Sequence, residues 1–193
     1  MKNGIVILIL AVILVVTIGV FVFNFDGDED AQPSQNESDV KSLSYSVNGE
    51  IFTLKDGKAE NELVPGSATK NKLSIFGEPV YGDLDADGDE DAAILLANDP
   101  GGSGIFYYAA LAIKNGTTYQ VTPAMFLGDR IAPQTVEIHD GHAVFNFAER
   151  KAGESLSTPP SIGKSVWVHY DQKTGEIGEW VKDLEGESAI PRP

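Results

Sequence analysis

Five aspartates alternate with other residues in Gly82-Asp83-Leu84-Asp85-Ala86-Asp87-Gly88-Asp89-Glu90-Asp91, and that spacing carries the chemistry of a divalent-cation loop. Counted from Asp83, carboxylates occupy positions 1, 3, 5 and 9, with glycine at 6. A calcium ion takes roughly six to eight oxygens at about 2.3–2.6 Å, so the chain must curl around it with alternate ligands turned inward. Gly88 permits the sharp turn that a Cβ would oppose. The expected shell has side-chain oxygens from Asp83, Asp85 and Asp87, the backbone carbonyl of Asp89, and the Asp91 carboxylate closing it. Carboxylates gathered this closely repel by roughly a few kcal/mol at an effective dielectric of about 20, so something positive belongs among them. The pattern predicts Ca2+ in a structural role. Magnesium fits less well, because a flexible all-protein oxygen cage suits the larger ion.

Position 12, where a helix-loop-helix calcium hand places a bidentate glutamate, is Ile94. The helical reading therefore fails, and the flanks read as strands. A loop closed by Asp91 and followed by a strand resembles the calcium loops of integrin-type FG-GAP and VCBS repeat proteins, the matching residues being the run DLDADGDED from Asp83. Those families build propellers from several copies, whereas this motif occurs once and no period of about 40–60 residues is visible. A whole propeller is excluded by length. A longer stretch, from Tyr45 to Trp180, is similar to a bacterial family of membrane-anchored exported proteins with the same motif order: GDLDADGDEDAAILL, then GGSGIFYY, then FLGDRI. That resemblance implies a β-rich exported domain and supplies no particular activity.

Other residues could do chemistry but lack the context for it. Gly101-Gly102-Ser103-Gly104 has no following Lys-Ser/Thr and leads into a strand, so a hairpin loop is expected instead of a phosphate cradle. His139 and His142 face each other across a tight turn with no third ligand fixed by spacing, which reads as an exposed pair. Gly128-Asp129-Arg130 and Glu149-Arg150-Lys151 could form a polar site at one sheet end, with surface ion pairs as the ordinary explanation. Ser103 and Ser155 have neither an elbow nor a paired base. Trp167 and Trp180, with Tyr107 and Tyr108, could stack a sugar, although buried packing is the default for such rings.

The elements that must hold the loop are strands. Asn48-Gly49, Asp56-Gly57, Asn115-Gly116, Asp140-Gly141 and Thr174-Gly175 punctuate short alternating runs in the manner of tight hairpins. A two-residue turn at Asp140-Gly141 sets His139 opposite His142, Ile138 opposite Ala143 and Val136 opposite Phe145, so that these apolar residues and Phe147 share a buried face. The runs Ala92 to Ala97 and Ile105 to Ile113 are apolar at odd and even positions alike, which predicts central strands covered on both sides, joined by a hairpin loop from Asn98 to Gly104. Glu60 to Asn71 reads as a short helix or a loop. The fold class expected is mainly β, an antiparallel sandwich or rolled sheet, with an N-terminal transmembrane helix.

That helix is expected from Ile5 to Phe23, a run free of charge; at about 1.5 Å per residue it reaches roughly the 30 Å of a hydrocarbon core. It ends in Phe21, Val22, Phe23, Asn24, Phe25 and not in small residues, so it reads as a signal anchor retained in the protein. Lys2 before it and Asp26, Asp28, Glu29 and Asp30 after it keep the N-terminus cytoplasmic. The organisation expected is an anchor over residues 1–25, an acidic disordered tether over 26–40, one calcium-binding β domain over 41–184, and a tail over 185–193. Against 14 Lys and Arg stand 29 Asp and Glu, a formal charge of −15, which makes nucleic acid and anionic lipid poor partners. With no cysteine there is no thiol nucleophile, thiolate site or disulfide. The functional expectation is a single-pass envelope protein whose extracytoplasmic domain binds a cell-envelope glycan or protein. A polysaccharide hydrolase or lyase using Asp129 or Glu149 as acid and base, with calcium as scaffold, is the alternative.

Overall fold

A computed structural model describes residues 39–181. The expected anchor, most of the expected tether and the expected tail lie outside those residues. Among the described residues, no helix is long and apolar enough to cross a membrane.

Two long apolar strands organise the molecule: β6 (Asp91–Asp99) and β7 (Phe106–Asn115) pair antiparallel, Ala92 with Ala112 through Asn98 with Phe106. Each is flanked by two short strands set end to end. On the β6 side, β4 (Lys70–Ile75) pairs its far end and β5 (Val80–Gly82) its start; on the β7 side, β9 (Met125–Asp129) pairs its start and β8 (Thr118–Val121) its end. β3 (Lys58–Glu62) adds an edge beside β4 and completes a seven-stranded sheet. A second sheet of four strands runs β10 (Ala132–His139), β11 (His142–Glu149), β12 (Ile162–Asp171), β13 (Glu176–Trp180), and a separate hairpin joins β1 (Ser44–Val47) to β2 (Glu50–Thr53).

The apolar residues of β6 and β7 serve two layers, as a side-chain period of two requires when both faces are covered. Ala93, Leu95, Ala109, Leu111 and Ile113 pack with Phe145, Phe147, Val166 and Val168 of the four-stranded sheet. Ala92, Ile94, Leu96, Tyr108, Ala110 and Ala112 pack on the other side with Tyr45, Val47 and Phe52 of the β1–β2 hairpin. Val40 is already buried there, and Tyr45 Oη donates to its carbonyl at 2.7 Å.

The hairpin register read from the letters holds: Val136 pairs with Phe145, Ile138 with Ala143 and His139 with His142. Asp140 and Gly141 have φ of 50° and 73°, the paired left-handed conformation of a two-residue hairpin turn. Two local expectations change. Glu60 to Asn71 is neither helix nor simple loop but parts of β3 and β4 with their connection, Glu60 opposite Lys72 and Asn61 opposite Asn71. At the end of β7, Asn115 pairs with Thr118, so the turn residues are Gly116 and Thr117.

Candidate metal centre

The acidic segment is the connection between β5 and β6, clamped at its ends by the pairing of Gly82 with Asp91. Gly82 sits in a tight place: a Cβ there would lie 3.2 Å from the Ile138 side chain of β10, where the four-stranded sheet passes over. Asp91 is the first residue of β6 and has no exposed surface. Its Oδ2 accepts the Leu84 amide at 2.8 Å and its Oδ1 the Lys114 amide at 2.8 Å, so one buried carboxylate ties the loop to the end of β7. Leu84 turns inward to the core between the two sheets, which anchors the loop apolarly as well.

The remainder of the loop winds around Asp83. Its Oδ1 accepts the Ala86 amide at 2.7 Å and its Oδ2 the Gly88 amide at 3.2 Å. Asp85 Oδ1 accepts the Asp87 amide at 3.2 Å, and Asp87 Oδ1 the Asp89 amide at 2.8 Å. This tight coil needs left-handed backbone at Gly88, φ 92°, and at Ala86, φ 65°, where a side chain makes that conformation unfavourable. From outside, Gln172 in the β12–β13 loop donates its amide to the Asp85 carbonyl.

Carboxylate oxygens of Asp83, Asp85 and Asp91 lie within 4.8 Å of one another, a group that could hold a metal ion. The three come from an exposed, a half-buried and a buried position, so the group opens from the core toward solvent. Burial, and then the charges of Asp91, Asp87 and Asp83, push the Asp85 carboxyl above the ordinary carboxylate range. Burial also raises Asp91 against the two amides that favour its charged form, with Asp87 and Asp83 adding to the rise. Both rises come first from burial and then from neighbouring like charge, the part that a cation at the site would offset. Of the five residues expected, the three-carboxylate group contains Asp83, Asp85 and Asp91; Asp87 stands close enough to act on Asp85 and Asp91 through its charge.

The other candidates resolve individually. Asp129 holds Arg130 through two contacts, 2.8 Å to Nε and 2.5 Å to Nη2, while Glu149 meets Lys164 Nζ at 3.4 Å. Arg150 donates Nη1 to the Arg130 carbonyl at 2.8 Å, so the two motifs do meet, as ion pairs and backbone ties. Residues 100–105 form the β6–β7 hairpin loop. The expected aromatic group divides: Tyr107 and Tyr108 are buried in opposite core layers, whereas Trp167 and Trp180 stand half-buried on the outer face of the four-stranded sheet, 5.6 Å apart.

One polar cluster had no signal in the sequence. Glu50 accepts Asn61 and Asn71 side-chain amides at 2.7 Å each, and Asn98 donates to Asn71 Oδ1 at 2.6 Å. Asn71 and Asn98 are both buried, and the network lines a cleft of about 440 Å³ walled by Phe106, Tyr108 and Phe126. Its members are scattered through β2, β3, β4 and β6, so no local spacing announces it.

Fold and loop together define an antiparallel β domain with a three-carboxylate group at one end of its central sheet. Comparison with protein-family models, with curated proteins and with solved structures found no match to this chain.

Proposed function

We propose that this chain is a membrane-anchored extracytoplasmic β domain that holds one structural calcium ion in the β5–β6 loop and acts as a binding or interaction module. The observation that carries the metal is the gathering of the Asp83 and Asp85 carboxylates around the fully buried Asp91. Calcium is the ion of choice because a flexible all-protein oxygen cage suits a larger cation than magnesium. Asp83, Asp85 and Asp91 are its side-chain ligands, with the Asp87 carboxylate and the Asp89 carbonyl filling the shell. The ion neutralises the loop and ties β5, β6 and β7 together through groups already hydrogen-bonded to their backbone. The anchor rests on the apolar run Ile5 to Phe23 and the acidic residues after it.

The test of the metal is thermal unfolding of the full-length chain in detergent, with calcium and with chelator. Calcium at about 100 times its dissociation constant contributes about 2.7 kcal/mol, equivalent to roughly 5–10 °C for a domain of this size. The shift disappears in Asp85→Ala. Identical melting curves in both conditions would count against the reading. For the anchor, the chain fractionates with membranes; a soluble form beginning near Asp26 would overturn that part.

A further inference from the structure

All three histidines and both tryptophans of the 193-residue chain lie in or beside the four-stranded sheet, and register places them on one face. Inward residues Ala143, Phe145, Val166 and Val168 belong to the core, so their neighbours His142, Trp167 and His169 point outward. Trp167 pairs with Trp180 and His139 with His142, which aligns His139, His142, Trp167 and Trp180 across the strands. The rings form a continuous strip: His142 to Trp180 at 4.4 Å, Trp167 to Trp180 at 5.6 Å, and His139 to Trp167 at 6.2 Å. Trp180 ends this strip in a cleft of about 610 Å³, whose other wall is the acidic loop through Asp83 and Asp85, with Asp140, His142 and His169 between them.

The protons in this cleft can be assigned. His142 Nδ1 lies 2.7 Å from the Asp140 carbonyl and His169 Nδ1 lies 3.0 Å from the Gly178 carbonyl. A carbonyl has no proton to give, so each Nδ1 carries the hydrogen, and Nε2 of the neutral ring is an acceptor. Carboxylates and imidazole Nε2 atoms make the cleft rich in acceptors. Its partner must bring donors and a flat apolar surface for the indole. An anionic ligand is opposed by the formal charge of −15 and by the aspartates in the wall. The aromatic rings of the cleft lie along one wall, opposite the acidic loop, so an organic cation would meet ring faces on one side only.

We infer that this cleft binds a neutral saccharide, one sugar ring lying on Trp180 and its hydroxyls donating to His142, His169 and the rim of the acidic loop. The inference rests on the binding-module reading above and names the ligand class. Calcium, by holding the acidic loop in one conformation, sets the wall that the sugar meets.

The two tryptophans make the test direct. The full-length chain in a polyoxyethylene detergent, which carries neither sugar nor cation, is titrated with chitotetraose and with cellotetraose while indole emission is followed and affinity is read by calorimetry. At least one tetrasaccharide is expected to give a saturable emission change, with binding weakened tenfold or more in Trp180→Ala and less in Trp180→Phe, both variants keeping the calcium-dependent rise in melting temperature. Absence of any response to either tetrasaccharide, alongside an intact calcium shift, overturns the saccharide inference and leaves the metal reading standing. Saturation by polygalacturonate or tetramethylammonium chloride with no response to the tetrasaccharides overturns it in favour of a charged ligand. Saccharide binding with no calcium shift supports the cleft and removes the metal.

Discussion

Strand β6 carries a buried polar residue near each end, Asp91 at its start and Asn98 near its finish, and the two are stabilised in opposite ways. Asn98 is neutral, and its amide donates both to Asn71 Oδ1 and to the Lys72 carbonyl, at 2.6 and 3.0 Å. That network closes on protein groups. Asp91 also has two good backbone donors, yet burial, with the charges of Asp87 and Asp83 added, pushes its carboxyl upward, and Asp83 and Asp85 converge on it. Hydrogen bonding alone does not settle a cluster of like charges. One end of the strand is complete as folded; the other gathers carboxylates that could hold an ion.

Single substitutions at the two ends sharpen this contrast. The largest loss is expected for Asp91→Ala, which orphans the Leu84 and Lys114 amides and removes a proposed ligand; denaturant unfolding in calcium should show a drop of roughly 3–5 kcal/mol. Next comes chelation of the wild-type chain, at about 2.7 kcal/mol when calcium is about 100 times its dissociation constant. Asn98→Ala should follow at roughly 1–3 kcal/mol, from the acceptors left unmet. Its decisive property is that the loss is the same in calcium and in chelator. A calcium-dependent loss at Asn98 would erase the distinction between the two ends.

Acidification gives the smallest effect. Asp85 and Asp91 have raised carboxyls in the folded, ion-free chain. A raised acid contributes stability that is fully present below its ordinary unfolded value and is lost as pH rises through the higher folded value. Calcium binding, in contrast, requires both groups ionised. The gap between melting curves in calcium and in chelator should therefore narrow as pH falls from neutrality toward the carboxylate range. A gap that widened on acidification would remove Asp85 and Asp91 from the ligand set.

What could be read from the letters was local or strictly periodic. Asp140-Gly141 fixed a hairpin register because a two-residue turn leaves one pairing, and β6 and β7 declared double burial by being apolar at odd and even positions alike from Ala92 to Ala97 and from Phe106 to Ile113. The acidic loop was legible because its carboxylates lie within one short stretch. Lys58-Ala59-Glu60-Asn61-Glu62 was not recognisable as a strand, since an edge strand with half-exposed and exposed residues has no apolar alternation. Its structure comes from β4, whose Leu73 supplies the buried contact. The Glu50–Asn71–Asn98 network and the Trp–His strip depend on strands far apart in sequence, so their partners emerge only once sheet order is known.

Equilibrium calcium binding to the full-length chain, by calorimetry at neutral pH, tests the central claim most directly. One ion per chain in the wild type and none in Asp85→Ala, with the variant still folded, is the expected result. A wild-type chain that takes up no calcium, or an Asp85→Ala chain that takes up as much as the wild type, contradicts it.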